Sequence, residues 1–474
     1  MARPRLHLPP AELVARGLRR LRDELTVPDR HPPEAVDAAR RAVDGRSDRL
    51  DLRDVPFVTI DPVGSRDLDQ AYWAARRGDG FLVRYAIADV AAFVRPDDPV
   101  DVESWKRAVT LYPPDGRVPL HPAPLSEDAG SLLAGVDRPA LVWELHLDGD
   151  GVVTSARLEA ATVRSRAQLS YVDAQRRIDG GSVDDDDPVA LLPVIGALRE
   201  QLEIDRGGIH LPLPSQEVVA ADGRFDLAYE VSLPVEEWNA HISLMTGLAA
   251  AQLLGEAGAG LLRTLPTARR DTIDELRRTA DCLGIDWPAD ESYPAFIRRL
   301  DAAEPTGAAL LTQARSVFRG ADYETFTGPL PPDAVHAAIG GHYAHVTAPL
   351  RRLCDRFSNE ILVAHCADRE PPAWAVEALE RLPKAMARGR SLEGRLDRGV
   401  IDLVEAVLLS GRVGERLRGA VVGERKSGVV VSLRDPAIVG VARGEAELGA
   451  EVAVTVEDAD PEAGRVELRI AAGG

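Results

Sequence analysis

Apolar residues recur every three or four positions at the start of the chain, at Leu13, Leu18, Leu21 and Leu25, with Arg16, Arg19, Arg20 and Arg22 between them. This spacing predicts a helix over residues 11–25. Pro28, Pro32 and Pro33 interrupt it, and Pro33 suits the first turn of a second helix, PEAVDAARRAV, ending near Gly45. From Phe57 the pattern changes to β. FVTI reads as a short buried strand ending in Asp61, and GFLVRYAIADVAAFV from Gly80 is a second β-rich run. The segment from Leu141 reads as a hairpin turning at Asp148-Gly149-Asp150-Gly151. After the acidic run Asp184 to Asp187, helices dominate. The segment from Val235 carries apolar residues at 238, 242, 245 and 249, one face of a helix, and helical patterns follow at 271–283, 291–303, 355–367, 373–388 and 392–410. From about residue 415, short Val-rich runs separated by Gly and Asp-Pro turns predict about five strands, which suit a small OB-fold-like barrel.

The predicted class is α+β in three parts: a helical N-terminal segment over 1–50, a central domain with its linking helices over 51–412, and the barrel over 413–474. A chain of 474 residues is too long for one ordinary core. Three cysteines provide no disulfide framework, and no apolar stretch suits a secretory signal or a bilayer span. The expectation is a cytoplasmic protein without a membrane partner. The formal net charge of −19 disfavours phosphate backbones over the surface as a whole, but leaves room for a local basic channel.

The most informative segment is FVTIDPVGSRDLDQA, residues 57 to 71. A strand delivers Asp61 to its end, Pro62 and Gly64 favour a turn, and the chain returns with Asp67 and Asp69 on one side of an extended backbone. Gathering three carboxylates is costly without a cation. A hard divalent ion relieves that cost, and Mg²⁺ favours a few carboxylates plus water and phosphate. Asp89, at the end of the apolar run YAIAD, is a candidate further carboxylate. His342 and His345 lack the further ligands that a zinc site needs. No G-x-S-x-G elbow appears, and GERKSG at 423–428 lacks P-loop spacing.

The chain resembles the ribonuclease II (RNB-domain) exoribonucleases through this segment, then YAIADVAAFV, LYPPDGRVPLHPAPLSEDAGSL at 111–132, VEEWNAHISL at 235, YAHVTAPLRRLCD at 343–355 and LRDPAIVGVARGEAELGAEVAV in the terminal barrel. The resemblance implies a mixed sheet with helices around an RNA channel. It also implies hydrolytic 3′→5′ degradation of single-stranded RNA to nucleoside 5′-monophosphates, using Mg²⁺ or alternatively Mn²⁺, by a monomer without an organic cofactor. It assigns Asp61, Asp67 and Asp69, with Gln70, to the metal and Arg351 to the scissile phosphate. Tyr112 is implied to stack on the terminal base, and Glu236, Arg352 and Asp397 to contact substrate. A channel that processes any sequence needs base-face stacking and phosphate contacts, which tyrosine and arginine supply.

The chain departs from the family pattern at several positions. Gln70 replaces a fourth carboxylate and offers a metal a neutral oxygen. Ala348 stands in place of a serine, Leu353 in place of an aromatic, and Asp397 in place of a glutamate. The leading segment is too short for paired cold-shock barrels, so RNA capture is expected to rest on the terminal barrel, the channel and the arginine-rich helix at 13–25. A catalytically impaired RNA-binding protein on the same scaffold is the alternative.

Overall fold

The computed structural model describes residues 10–181, 187–209, 211, 216–221, 224–229, 232–433 and 435–471. Two amphipathic helices open the chain, α1 (Pro10–Leu25) and α2 (Pro33–Arg41). A seven-stranded sheet follows, made of β1 (Leu50–Leu52), β2 (Val58–Asp61), β3 (Gln70–Arg77), β4 (Gly80–Ala88), β5 (Asp137–Leu147), β6 (Val153–Arg164) and β7 (Ala167–Ser170). Its order is β1-β6-β5-β4-β3-β2-β7, with parallel pairing of β1 to β6 and of β2 to β7. The GFLVRYAIA run becomes the middle strand β4, and all of it but Arg84 is buried. A strand covered on both faces reads as a continuous apolar run rather than an alternating one.

α3 (Pro99–Arg107) follows β4, and α4 (Tyr171–Asp179) and α5 (Leu192–Asp205) follow the sheet. The short hairpin β8 (Gln216–Ala221) and β9 (Arg224–Tyr229) precedes α6 (Pro234–Ala257). A two-stranded ribbon, β10 (Ala259–Thr264) with β11 (Asp322–Thr327), brackets α7 (Arg270–Cys282), α8 (Tyr293–Arg298) and α9 (Pro305–Ala314). These three helices have a core of their own, centred on Trp287 stacked against Phe296. The α+β class and the terminal barrel agree with the sequence reading, but some elements differ. The helix expected over 291–303 ends at Arg298, and a separate helix starts at Pro305. The ribbon strands and the 216–229 hairpin were not anticipated, because short apolar runs such as Ala259–Leu262 have no period that separates strand from helix.

α10 (Leu353–Cys366) is buried from Leu353 through Ala364, so it runs through the interior and its charged residues need internal partners. Asp355 has Arg352, Arg356 has Asp101, and Glu360 has Arg46. After α11 (Ala373–Ala378), the two helices expected over 373–388 and 392–410 give way to one 29-residue helix, α12 (Leu382–Ser410). At 1.5 Å per residue it spans about 44 Å. Glycines along it are packing sites. A Cβ at Gly389 would stand 3.0 Å from Ala108. α1 lies along the far half of α12, with Gly17 against Leu403 and Gly399 against Leu21. Arg16 reaches Glu462 in the barrel and Arg22 reaches Asp115. The arginine-rich helix is therefore a strut whose pattern serves packing. The barrel is closed in the order β12-β13-β14-β16-β15 by β12 (Arg416–Arg425), β13 (Gly428–Leu433), β14 (Val439–Arg443), β15 (Glu451–Asp460) and β16 (Arg465–Ile470).

One crossing places the segment that carries Arg351. The 343–347 stretch passes over α6 at Gly247, whose carbonyl accepts a hydrogen bond from Ala344 N at 3.1 Å. A Cβ at Gly247 would lie 2.7 Å from the Ala344 carbonyl oxygen and run into the Tyr343 ring. Gly247→Ala is expected to destabilise the fold by about 1–3 kcal/mol through overpacking, despite a helix-propensity gain of roughly 1 kcal/mol. Urea denaturation measures the balance, and a neutral or stabilised variant would show that the crossing is loose.

Candidate active site

Asp61 is the last residue of β2 and Gln70 the first of β3, so the loop between them hangs from adjacent strands. Gly64 turns it at φ 83°. The 111–132 segment clamps the loop from outside: Leu68 N donates to Ser131 Oγ, Ser131 Oγ donates to the Arg66 carbonyl, and Leu132 N donates to the Leu68 carbonyl. Leu68 itself is fully buried. The Asp67-Leu68-Asp69 alternation thus places an apolar anchor between two carboxylates.

Asp69 is 2% exposed. Its Oδ1 accepts the Leu350 N–H at 2.7 Å and its Oδ2 faces Arg351 Nε at 3.4 Å. Burial pushes its carboxyl up to about 8, against the opposing pull of Arg351 and the Leu350 N–H. Asp61 is half-buried, and its Oδ2 is buried without a hydrogen-bond partner. Burial raises it to about 6; Arg351 opposes this and Asp67 adds to it. Asp67 is held differently, by Arg117 on Oδ1 and by the Tyr112 hydroxyl, which donates to Oδ2 at 3.2 Å. Arg117 also holds Glu127 at 2.9 Å. Tyr112 is 53% exposed, so one ring face is free while its hydroxyl is fixed.

The structure therefore brings Asp61, Asp67, Asp69, Arg351 and Tyr112 together, but not as a closed metal cage. Among the described residues, no three His, Cys, Asp or Glu side chains gather tightly enough to hold an ion. Arginines occupy part of the space, with Arg117 on Asp67 and Arg351 beside Asp69. The donor set nonetheless fits a hard divalent cation. Asp61 Oδ2 is a buried oxygen lacking a partner, and burial favours the neutral form of both Asp61 and Asp69.

The other expected site residues separate into two groups. Glu236 lies near the cluster: its Oε1 accepts the Leu233 N–H at the start of α6, and together with Asp61 it raises the Tyr171 phenol, after burial. Gln70, Arg352, Asp397 and Asp89 have surroundings that the sequence does not show. The Gln70 amide nitrogen donates to the Thr347 carbonyl, which ties β3 to the segment bearing Arg351. Arg352 is committed to Asp355 through both Nε and Nη2, a bidentate internal pair rather than a free phosphate contact. On α12, the opposing charge at Asp397 is Arg398, whereas Glu393 feels the like charge of Asp397 and then Arg390, Arg351 and Arg352. Glu393 and Asp397 are one helical turn apart on one face, and spacing does not indicate which one the long helix carries to the site. Asp89 is fully buried between Arg46 and Arg49 and accepts the Ala92 N–H, so it serves the scaffold. Arg117 was also missed; its signal was its place in the Asp-Gly-Arg turn after Tyr112. His342 bonds the Pro331 carbonyl and His345 the Tyr323 hydroxyl, each with its own partner.

Comparison with known proteins adds the family. The RNB domain model matches residues 49–368, and the RNase II-type exonuclease C-terminal S1 domain model matches residues 415–471. The chain belongs to the RNB family. The exosome complex exonuclease RRP44 homolog A of Arabidopsis thaliana is 30% identical over 337 residues, 67% of this chain and 35% of that protein. Ribonuclease R of Vibrio cholerae is 26% identical over 408 residues, 80% of this chain and 48% of that protein. RNB relatives of this kind are thus about two to three times as long as the part matched. The structure of Mycoplasma genitalium RNase R with ribose-methylated single-stranded RNA superposes with a TM-score of 0.88 at 19% identity, covering 97% of this chain and 78% of that one. At that identity the likeness establishes the fold. No helix among the described residues is long and apolar enough to cross a membrane.

The buried carboxylates give the RNB site a pH signature. Asp69 has a native pKa raised to about 8, so the stability tied to its neutral form is complete below the unfolded value of about 4 and is lost as pH rises through about 8. In metal-free buffer, Asp69→Asn is expected to gain stability over the parent as pH is raised across that window. Urea midpoints at about pH 5 and about pH 8.5 measure it. A stability gap that stays constant with pH would show that Asp69 ionises freely.

Proposed function

We propose that this chain is a hydrolytic 3′→5′ exoribonuclease that degrades single-stranded RNA to nucleoside 5′-monophosphates with a divalent ion, Mg²⁺ or Mn²⁺. The observation that carries the reading is the convergence of Asp61 and Asp69 on Arg351, with Tyr112 fixed at the rim through Asp67. Asp61 and Asp69, with Asp67 alongside, would hold the metal. When bound, it would supply charge neutralisation and an activated water for phosphodiester hydrolysis. Arg351 is permanently charged and half-exposed, and it faces the space between the carboxylates. It stabilises charge building on the transferred phosphoryl group. The Tyr112 face stacks on the terminal base, a contact that every base can make. The Leu350 N–H fixes Asp69 while the next residue, Arg351, points at its other oxygen. One backbone turn therefore sets both the acid and the cation.

The test is a labelled oligoribonucleotide incubated with Mg²⁺ and followed on a denaturing gel. The parent is expected to give a ladder of shortening products. Asp69→Asn is expected to abolish the ladder while RNA still shifts on a native gel, and Arg351→Ala to slow it roughly 10²- to 10³-fold, as for loss of a transition-state donor. An Asp69→Asn variant that degrades RNA as fast as the parent rules the reading out.

A second reading has its own support in Gln70, whose amide is already spent on Thr347. An aspartate there would set a carboxylate against a carbonyl oxygen. On this reading the chain binds RNA on an RNB scaffold with its chemistry impaired. The parent would then retard RNA and leave it intact, and Gln70→Asp would lose roughly 1 kcal/mol of stability with the hydrogen bond while gaining affinity for Mg²⁺.

A further inference from the structure

A second cavity, of about 720 Å³, lies among α3, α10, α11 and the start of α12, and none of its lining residues belongs to the site above. Its walls are aromatic. Trp105 and Trp374 flank Phe357, with ring centroids 5.2 and 5.5 Å from it, and both tryptophans are only partly buried. Its floor is cationic. Arg356 is 2% exposed and gives Nη2 to Asp101 at 2.6 Å. Its Nε and Nη1 are buried without an acceptor. The guanidinium lies over Phe357 and Trp374, 4.5 and 5.5 Å from their centroids, which shields the charge but accepts neither N–H in a normal hydrogen bond.

Two more arginines stand at the mouth. Arg381 lies over the Trp105 ring at 4.3 Å, and Arg388 donates to the Trp105 carbonyl. Neither has an acidic partner among the described residues, in a chain that carries a net charge of −19. Asp97 and Glu377 also reach the rim, so the mouth is not uniformly basic and selects by geometry as well as charge. A cavity of this size is in the range of small-molecule sites. Aromatic walls, unpaired donors at the floor and arginines without an acidic partner among the described residues at the entrance match a ligand with a planar heterocycle at one end and a phosphate at the other.

We propose that this pocket binds a mononucleotide, with its base between the Trp105 and Trp374 walls above Arg356 and its phosphate on Arg381 and Arg388. The inference does not depend on the nuclease reading. It does have a bearing on it, because the pocket is built on the back of the segments that carry the site. Trp105 precedes Tyr112 on one segment and Phe357 follows Arg351 on the other, and Val109 and Arg352 bridge the two.

Adenosine 5′-monophosphate titrated into the full chain tests it, read by calorimetry and tryptophan emission. The Arg351→Ala background removes the main phosphate contact of the channel. On that background AMP is expected to bind and quench emission, and Arg381→Glu with Arg388→Glu to weaken binding by about tenfold or more, equivalent to about 1.4 kcal/mol. Arg381→Glu alone, at an exposed side chain with no hydrogen bond among the described residues, is expected to give the same direction without risk to folding. Inorganic phosphate and adenosine are each expected to bind more weakly than AMP. AMP affinity unchanged by both charge reversals overturns the proposal. So does phosphate that binds as tightly as AMP, or an RNA oligomer that occupies the pocket when AMP does not.

Discussion

Negative charge has to be placed where water is absent, and the rest of the structure depends on how this is done. Asp69 and Asp61 lie at the inner end of the sheet, where burial favours the neutral carboxyl, and Arg351 is the cation nearest to both. A carboxylate that is expensive to ionise in the empty protein is poised to bind a cation, because ionisation and metal binding then become one event. The loop cannot relax to relieve the repulsion. Leu68 is locked in the core between Asp67 and Asp69; Ser131 Oγ holds the Arg66 carbonyl and the Leu68 N–H, and Leu132 N holds the Leu68 carbonyl.

The same rule governs the scaffold. α10 passes through the interior carrying Asp355, Arg356 and Glu360, and each is answered from a different element: Arg352 before the helix, Asp101 on α3, and Arg46 ahead of β1. Asp89 extends the last of these into a cluster with Arg46 and Arg49. Breaking a buried pair by removing one partner leaves an uncompensated charge and costs about 3–5 kcal/mol. These pairs therefore fix which surfaces of α3, α10 and the 44–49 segment meet. Arg351 at the mouth is set by a helix that cannot slide.

Much of this was legible in the chain. The strand–turn–strand that delivers Asp61, Asp67 and Asp69 could be read from FVTIDPVGSRDLD, because alternation and turn residues are local properties. The barrel could be read from its spacing of turns. The partner of each charge could not, because it depends on long-range packing. Asp89 looks like Asp61 in sequence, each ending an apolar strand, yet arginines from the leading segment claim the first and leave the second with a bare oxygen. Arg351 and Arg352 are adjacent and chemically identical, yet Asp355 takes one and leaves the other half-exposed. The split helix expected over 373–410 failed for a similar reason. Ala108 packs close to Gly389, between the two expected segments, and Leu21 close to Gly399, contacts that no local pattern reveals.

The unbroken helix has a mechanical consequence. α12 carries Glu393 into the field of Arg351 and Arg352 near its middle, and Glu405 against Gln216, which also bonds the Ala437 carbonyl of the barrel, toward its C-terminal end. α1 braces the span between them through Gly17 and Gly399, contacts too close to allow a side chain. A helix held along its length transmits displacement instead of absorbing it by bending. The terminal barrel and the surroundings of the acidic cluster thus both contact one long helix. Tyr112, fixed by its hydroxyl to Asp67, stands on the other side of the same opening. The position of the barrel and that of the 351–352 segment are therefore referred to the same helix, whose unbroken run rests on close packing at Gly389 and Gly399.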